Sequence, residues 1–535
     1  MPTLNWIGKE AVVNHHHQVP FHLLKDVPDL ACGEPGDGNL IVQGDNLVAL
    51  KALLPYYAGQ VKCIYIDPPY NTGNEGWAYN DNVNSPIIRE WLGKVVGKEG
   101  ETLDRHDRWL CMMYPRLALL RQFLREDGAI FISLDDNEIQ ALRYVMDEIF
   151  GEQNFVTTIV WEKNYAPKAS AKYLSQNHDY VVLYAKHKSR WNRNLIPRSE
   201  KQDKAYKNPD NDPRGLWRPN NLAARNAYSL GIYSLACPSG RIIDGPPKGS
   251  YWRVSKEKFD RLDKDGRIWW GKEGNNVPAP KIFLSEVKQG VVPMTIWTYE
   301  DAGHTQDAKK ELIEALPEAS EVFTTPKPPK LIERVVQLAA GPGDIILDSF
   351  AGSGTTGHAV LNLNKADGGN RRFILVEVEP KIARDITAER VRRVAEGYKN
   401  AKGEKVDGLG GSFRYCELGE PLFDESGKIR EAVSFADLAR HVYFTETGEP
   451  LSRERVTKSP FIGECRGVGI YLLFNGILGD KSAQGGNVLT RSALAKLPTF
   501  DGQKVIYCAG CLLGKDRLQA ERILVRQTPY EIKLS

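Results

Sequence analysis

The segment from Asp344 to Asn364 constrains the fold of this 535-residue chain more than any other. An apolar run at residues 344–347 (DIIL) indicates a strand, and a glycine-rich stretch at residues 348–357 (DSFAGSGTTG) leads into a helix that extends to about Asn364. The core of this stretch, which begins at Gly352, fits the spacing GxGxxG, in which glycines permit a tight turn and the close approach of a ligand to the backbone. The pattern predicts an α/β domain with a ligand site at the turn.

Strand and helix patterns alternate on both sides of the middle of the chain. Apolar runs predict strands at residues 39–43, 61–66, 129–134 and 372–378, and helical spacing of apolar residues predicts helices at residues 46–54, 109–126, 138–149, 331–340 and 382–396. Continuous apolar strands are typical of a mostly parallel sheet that helices cover on both faces. Neither segment has enough strands for a doubly wound sheet alone, so we expect both to pack into one Rossmann-like domain.

A carboxylate follows the glycine-rich turn at the end of the next predicted strand. Glu377 lies 25 residues after Gly352, where its carboxylate can accept hydrogen bonds from both ribose hydroxyls. This arrangement predicts a nucleoside cofactor but does not separate NAD from S-adenosylmethionine. Glu379 lies two positions further on and leaves the choice of ribose-binding acid open, although we favour Glu377.

The tetrapeptide Asp67-Pro68-Pro69-Tyr70 directly follows the apolar run VKCIYI. Its two prolines cannot continue a strand, and they hold the backbone rigid at the carboxyl end of the strand, where open α/β sheets bind ligands. An amino group on a nucleobase is a poor nucleophile because its lone pair is delocalised into the ring. The Asp67 carboxylate and the Pro68 carbonyl can accept its two N–H groups, and Tyr70 offers a face for an extruded base. With the glycine-rich turn, this motif indicates methyl transfer from S-adenosylmethionine to an exocyclic amino group.

Positive charge is concentrated in the middle of the chain. Residues 161–300 contain 25 Lys and Arg against 14 Asp and Glu, a net charge of +11 that leaves −8 for the rest. The same stretch holds seven of the eleven tryptophans. Basic side chains interleaved with aromatic ones suit phosphate neutralisation, groove contacts and base stacking. We expect a nucleic-acid-binding insertion here, and a solvated, loop-rich insertion is the alternative.

The order of these motifs resembles the amino-methyltransferases of the permuted β class. The catalytic motif (IYIDPPYNTG) comes first and the cofactor motif (LDSFAGSGTTG) lies far downstream, with an insert between them where that family keeps its target-recognition domain. The chain more narrowly resembles the modification subunits of type III restriction-modification systems, through YNTGNEGWAYND, FTTPKPPKLIERVV, DNDPRGLWRPNNL and YWRVSKEKFDRLDKDGRIWWGKEG. This resemblance is strong over roughly residues 39–396 and only general over the last 130 residues.

The resemblance implies roles for individual residues. The catalytic residues would be Asp67, Pro68, Pro69 and Tyr70. The cofactor S-adenosylmethionine would contact Phe350, Gly352 and Gly354 with its methionine part, and Thr325 and Lys327 with its carboxylate. Glu377 would hold its ribose and Asp45 would approach its adenine amino group. Asp348 would support the glycine-rich loop, and Thr355 is assigned to the cofactor site as well. Aspartate at the first position of the catalytic motif favours adenine N6 over cytosine N4. No metal is expected.

The resemblance also implies a domain organisation and partners. We expect an N-terminal extension (1–38), a catalytic segment (39–160), a target-recognition insert (161–320), a cofactor-binding segment (321–404) and a small C-terminal α/β module (405–535). Within this module we predict strands at residues 469–474, 504–508 and 523–527 and helices at residues 490–497 and 515–522. The implied partners are double-stranded DNA, a second copy of the chain and a restriction helicase-nuclease subunit, without a membrane.

Several alternatives stay open at this point. A cytosine N4 methyltransferase or a stand-alone adenine methyltransferase would use the same motifs. An NAD-dependent oxidoreductase shares the glycine-rich turn but leaves the catalytic motif unexplained, and a non-catalytic DNA-binding subunit needs neither Asp67 nor Glu377. Cys508 and Cys511 form a single CxxC without a second pair, so zinc is not expected. The first residues lack the pattern of a secretory signal and no apolar run reaches 18 residues, so we expect a cytoplasmic enzyme.

Overall fold

The computed structural model describes most of the chain. The described residues are 4–33, 38–72, 93–94, 105–198, 203–287, 290–320, 323, 325–400, 402–451, 459–479, 487–529 and 532. Among the helices within these ranges, none combines the length and the apolar character that crossing a bilayer requires. The chain divides into two compact units, one made of residues 1–194 and 294–535 and the other of residues 195–293.

A ten-stranded mixed sheet organises the larger unit. Its strands are β1 (His22–Asp26), β2 (Leu40–Gln43), β3 (Val61–Ile66), β4 (Leu124–Leu134), β5 (Phe155–Glu162), β6 (His178–Ala185), β7 (Ile296–Trp297), β8 (Ile345–Asp348), β9 (Arg372–Glu377) and β10 (Arg414–Pro421). Their order across the sheet is β1-β10-β2-β9-β8-β3-β4-β6-β5-β7. The six neighbours from β10 to β4 are parallel, and β1 and β6 run antiparallel to them.

The two predicted sequence segments interleave in this sheet. Strands β8 and β9, from the downstream segment, lie between β2 and β3, from the first segment. Leu347 of β8 pairs with Ile64 of β3, and Glu377 of β9 pairs with Gln43 of β2. The expected permuted, doubly wound α/β fold is therefore confirmed, because neither segment could complete the sheet without the other.

Helices cover both faces of the sheet. The principal helices are α1 (Asn46–Tyr57), α2 (Arg105–Phe123), α3 (Ile139–Phe150), α4 (Pro329–Ala339), α5 (Thr355–Asp367), α6 (Glu389–Glu396) and α7 (Phe435–Thr447). Apolar side chains of α1, α2, α3 and α7 pack into the core on one face, and those of α4, α5 and α6 pack into the core on the other. Strands buried on both faces explain why the sequence shows continuous apolar runs rather than alternation.

The compact insertion is narrower than the predicted insert of residues 161–320. Strand β6 lies inside the basic stretch by sequence and β5 ends in it at Glu162, yet both belong to the large sheet, where β6 pairs with β4 from Ala129 to Leu134. Helix Thr305–Ala315 also belongs to the larger unit. The predicted bounds of the target-recognition insert stay a prediction beside these observations.

Residues 195–293 form their own small core. Three short strands, Trp217–Pro219, Ile268–Trp269 and Ala279–Phe283, pair antiparallel, and helix Lys256–Lys264 packs its Phe259 against Trp252 and Trp270. Most of the tryptophans that suggested base stacking are buried in the cores of the two units, namely Trp161, Trp217, Trp252, Trp270 and Trp297. Their buried rings stabilise the cores of the two units.

The predicted N-terminal extension (1–38) and the predicted C-terminal module (405–535) each contribute a strand to the large sheet. Strand β1, from the predicted N-terminal extension, pairs antiparallel with β10, and β10, from the predicted C-terminal module, pairs in parallel with β2. The remaining module contains a four-stranded sheet of Phe461–Cys465, Val468–Leu472, Gln503–Cys508 and Ile523–Gln527, with helices Arg491–Lys496 and Lys515–Ala520. The predicted α/β character of this region agrees with these elements.

Candidate active site

The catalytic turn, Asp67 to Tyr70, and the glycine loop, Asp348 to Gly354, leave the sheet side by side. Strands β3 and β8 are parallel neighbours, so both segments begin at the same, carboxyl edge. A cavity of about 520 Å³ opens beside the catalytic turn. Its wall includes Asp67, Pro68, Tyr70, Trp161, Asp179, Thr325 and Lys327. The structure thus brings the predicted catalytic residues together with the two predicted cofactor residues that precede α4.

The Asp67 carboxylate is held by one lysine. Lys327 Nζ donates hydrogen bonds to both carboxylate oxygens of Asp67, at 2.7 and 2.6 Å. The same ammonium group lies 4.8 Å from the centre of the Tyr70 ring, within the range of a cation–π contact. The Asp67 side chain remains 19% exposed in the cavity wall. Sequence reasoning gave Lys327 to the cofactor carboxylate, and that role stays a prediction beside this observed ion pair.

The backbone of the catalytic turn is fixed by residues that sequence reasoning missed. Trp109 Nε1 of α2 donates a hydrogen bond of 2.7 Å to the Pro69 carbonyl. Asn71 has a positive φ of 58° and donates its side-chain amide to Glu138 and to the Arg105 carbonyl. Burial raises the pKa of Glu138. These contacts fix the backbone of the turn, and Asp67 and Pro68 of the same turn line the cavity.

The glycine loop is closed by the Glu377 carboxylate. Gly352 N donates to Glu377 Oε2, and Glu379 N donates to Glu377 Oε1, each at 2.9 Å. Gly352 and Gly354 have positive φ angles of 51° and 74°, and a Cβ at Gly354 would lie 2.9 Å from the Thr387 carbonyl oxygen. The turn therefore requires glycine both for its backbone conformation and for the space it leaves.

Asp348 is buried beneath this loop. Its carboxylate accepts hydrogen bonds from Phe350 N at 3.0 Å and from Thr356 Oγ1 at 2.5 Å. Burial raises the pKa of Asp348 to about 7. The predicted supporting role of Asp348 agrees with these contacts, because they tie the end of β8 to the first turn of α5.

A fully buried arginine, which no sequence signal indicated, braces the other side of the loop. Arg390 Nη1 donates to the Ser353 carbonyl at 3.2 Å and to Thr355 Oγ1 at 2.8 Å. Thr355 Oγ1 in turn donates to the Lys327 carbonyl at 3.2 Å. Burial lowers the pKa of Arg390 to about 10. This chain of contacts connects α6, the glycine loop and the lysine that holds Asp67.

Asp45 has a structural role in addition to its predicted one. Its carboxylate caps α1 by accepting from Leu47 N at 2.9 Å and Val48 N at 3.1 Å, and it forms an ion pair of 2.9 Å with Arg116. Asp45 follows β2, whose neighbour β9 ends at Glu377. It is thus placed at the edge where the cofactor contact was predicted, and the contact itself stays a prediction.

The residues at this edge fit a nucleoside cofactor. The glycine-rich turn lies at this edge, and the Glu377 carboxylate, a hydrogen-bond acceptor suited to ribose hydroxyls, is fixed beside it by two backbone N–H groups. Phe350, the predicted neighbour of the methionine part, packs against the core while remaining partly exposed. Residues 73–81 of the motif YNTGNEGWAYND, and Thr324 of FTTPKPPKLIERVV, lie outside the described residues.

Comparison with known proteins shows the family of this chain. The DNA methylase family of N6 and N4 methyltransferases matches residues 61–389. The chain is 33% identical over 383 residues to the type III restriction-modification enzyme StyLTI Mod subunit of Salmonella typhimurium, covering 67% of this chain and 57% of that protein. It is 31% identical over 475 residues to the EcoP15I Mod subunit of Escherichia coli, covering 77% and 72%. It is 28% identical over 447 residues to the type II methyltransferase M.KpnI of Klebsiella pneumoniae, covering 76% and 98%.

The chain spans between about half and three quarters of the length of the two type III relatives. The family match covers both the catalytic turn and the glycine loop, and it extends over more than half of the chain. The chain therefore belongs to the DNA methylase family of N6 and N4 methyltransferases.

Proposed function

We propose that this protein transfers a methyl group from S-adenosylmethionine to N6 of adenine in double-stranded DNA, as the modification subunit of a type III restriction-modification system. One observation carries the proposal: the catalytic turn lies one strand away from the glycine loop and forms part of the wall of a cavity of about 520 Å³. Two type III Mod subunits among the relatives support the narrower assignment.

The chemistry follows from two acceptors at the end of β3. When bound, S-adenosylmethionine supplies an electrophilic methyl group. The Asp67 carboxylate and the Pro68 carbonyl accept the two N–H groups of the target adenine, which localises the nitrogen lone pair for attack. Asp67 is also placed to receive the proton that the nitrogen loses after it gains the methyl group. Lys327 keeps the carboxylate oriented through this step.

The target base must leave the duplex to reach these acceptors. The cavity offers Tyr70 as a stacking face, with Trp161 and the ion pair of Lys163 and Asp179 (2.6 Å) in its other walls. Residues 195–293 carry 18 Lys and Arg against 11 Asp and Glu, and a positive surface suits the target-recognition role that the resemblance implies. A homodimer, a restriction helicase-nuclease subunit and a cytoplasmic location belong to the same proposal.

A stand-alone adenine methyltransferase is the second candidate. Its support is the match to M.KpnI, a type II methyltransferase of which the chain covers 98%. The residues of the catalytic turn would act identically in both cases. The two candidates differ in the pattern of methylation on the DNA strands and in the need for a partner.

Sequencing of host DNA tests both the activity and the target. The wild type and Asp67→Ala are expressed in a methylation-free host, and modified bases are read by single-molecule sequencing. We expect N6-methyladenine at one sequence motif with the wild type only, and methylation of one strand favours the type III assignment. Modified cytosine would contradict the target assignment. DNA without modification, although the purified protein binds S-adenosylmethionine, would contradict the proposed substrate.

A further inference from the structure

The loop between β5 and β6, residues 163–177, exposes two large apolar side chains at its tip. Tyr173 is 83% exposed and Leu174 is 88% exposed, the highest values among the large apolar residues that the structure describes. Single exposed apolar residues are common on protein surfaces, but two adjacent ones at this level of exposure bury almost nothing within the fold. Burial of both side chains would take a partner outside the chain.

The loop is held together below this tip by its own hydrogen bonds. Asn164 and Asn177 bind each other across its base, with Asn164 N donating to the Asn177 carbonyl at 3.2 Å and Asn177 Nδ2 donating to the Asn164 carbonyl at 2.9 Å. Higher up, Lys168 N donates to Ser175 Oγ at 2.9 Å. These bonds connect the two arms of the loop, so the tip projects from a defined hairpin.

The hairpin rises directly from the rim of the candidate active site. Asn164, Lys168 and Gln176 all belong to the wall of the cavity that Asp67 shares. Leu174 precedes Gln176 by two residues, so their Cα atoms lie at most about 8 Å apart. The apolar tip thus lies close to the wall of the cavity that a target base would occupy.

The charge of the loop identifies the kind of partner. Residues 163–177 contain three lysines and no acidic residue. Lys163 is paired with Asp179 at 2.6 Å, so the charge near the tip comes from Lys168 and Lys172. Lys172 Nζ lies 5.1 Å from the centre of the Tyr173 ring, so positive charge accompanies the apolar tip. Cationic side chains beside an apolar tip match duplex DNA, in which phosphates flank the stacked faces of the bases.

From this geometry we infer that Tyr173 and Leu174 form a wedge that enters the base stack of DNA at the place that the target base vacates. The inference rests on the proposed function and adds a residue-level account of base extrusion. Extrusion costs stacking and pairing energy and leaves a gap in the duplex. Apolar side chains that fill the gap recover part of the stacking and keep the base from returning, as apolar wedges do in other DNA-binding proteins.

A double variant, Tyr173→Ala with Leu174→Ala, tests the wedge in the full chain. Leu512→Ala is the matched control, because Leu512 is 77% exposed and lies in the C-terminal region. Duplexes carry the motif found by sequencing, with 2-aminopurine at the target position to report extrusion by fluorescence. A second set keeps adenine and places either thymine or an abasic site opposite it, and methylation is measured under single-turnover conditions.

We expect the double variant to lose most of the 2-aminopurine signal and to methylate the paired duplex at least about tenfold more slowly than the wild type. Methylation of the abasic duplex should recover to within about threefold of the wild type, because that base needs less help to leave the stack. Leu512→Ala should match the wild type throughout. Tyr173→Phe, which retains the ring, should also keep the signal.

Two results would overturn the wedge. One is a double variant that extrudes and methylates the paired duplex like the wild type. The other is an equal loss on paired and abasic duplexes, which would make the tip an ordinary groove contact. If the wild type itself gives neither fluorescence nor methylation, the proposed function fails and the wedge fails with it, which distinguishes that case from a defect of the double variant alone.

Discussion

The catalytic turn and the glycine loop start from neighbouring strands of one sheet, but they hold their carboxylates in opposite ways. Asp67 keeps 19% of its side chain exposed and is paired through a lysine side chain. Asp348 and Glu377 are 3% and 2% exposed, and both accept backbone N–H groups of their own loop. A carboxylate at a strand end is thus open to a target base when it lines the cavity, and it fixes the loop that would hold the cofactor when backbone N–H groups surround it.

Removing the exposed carboxylate should have the largest effect on the reaction. We expect Asp67→Ala to lower the single-turnover methylation rate about a thousandfold, because the target amino group loses its charged acceptor. Cofactor affinity should stay within about twofold, since no backbone group of the glycine loop depends on Asp67. Rapid-quench kinetics and calorimetric titration measure the two quantities.

A carboxylate at the end of the next strand provides the contrast for this variant. Asp135 follows β4 and also borders the cavity, but its oxygens accept from the backbone and side-chain N–H groups of Asn137 at 2.9 and 2.7 Å. Asp135→Ala should slow the reaction far less than Asp67→Ala. Equal losses would mean that exposure and partner do not separate chemical from structural carboxylates.

The two glutamates after β9 should differ in cofactor binding. We expect Glu377→Gln to weaken S-adenosylmethionine binding about thirtyfold, because a charge-assisted acceptor fixed beside the glycine turn is lost. Glu379→Gln should change the dissociation constant less than about threefold. Isothermal titration decides between them, and a larger effect at Glu379 would move the ribose contact to that residue.

Lys327 contacts both the catalytic turn, through Asp67, and the residue that follows the glycine loop, Thr355. Its replacement therefore shows whether its side chain serves the reaction or cofactor binding. With Lys327→Met we expect the methylation rate to fall about tenfold while the cofactor dissociation constant stays nearly unchanged, because the ammonium group is bound to Asp67. Lys327→Arg should retain more of the rate. A raised dissociation constant with an unchanged rate would instead support the cofactor-carboxylate role that the resemblance implies.

The smallest effect concerns stability and pH. Burial raises the pKa of Asp348 from 3.8 to about 7, so ionisation of its carboxyl group destabilises the folded state. This destabilisation is absent below pH 3.8, grows as pH rises and reaches its full size above about pH 7. Relative to Asp348→Asn, the wild type should therefore lose about 1 kcal/mol of unfolding free energy between pH 5 and 6. Denaturant melts measure this slope, and parallel curves for both proteins would show that Asp348 is ionised throughout.

Much of the fold could be predicted because buried parallel strands leave an unmistakable pattern. The run at residues 61–66 coincides with β3, and β9 ends at Glu377, one residue before the predicted strand end. Strand β4 begins at Leu124 rather than at residue 129, because it includes the polar residues 125–127, which precede the apolar run. The domain boundaries that the resemblance implies stay a prediction.

Some residues of the candidate site could be predicted from the sequence and others could not. The motif residues of the catalytic turn and the glycine loop could be predicted, because their chemistry is local to a few consecutive positions. The family match confirms the resemblance and, with it, S-adenosylmethionine as the cofactor. Arg390 and Trp109 could not be predicted, because they reach the two loops from helices distant in sequence and resemble ordinary helix residues. Only the folded chain shows that they brace the site.

Methyl transfer to adenine by the catalytic turn is tested most directly with a labelled cofactor. Purified wild type and Asp67→Ala are incubated with duplex DNA and S-adenosylmethionine that carries a trideuterated methyl group, and the digested nucleosides are identified by mass spectrometry. We expect trideuteromethyl on N6 of deoxyadenosine with the wild type and essentially none with Asp67→Ala, although both proteins bind the cofactor. Label on cytosine, or equal labelling by both proteins, would contradict it.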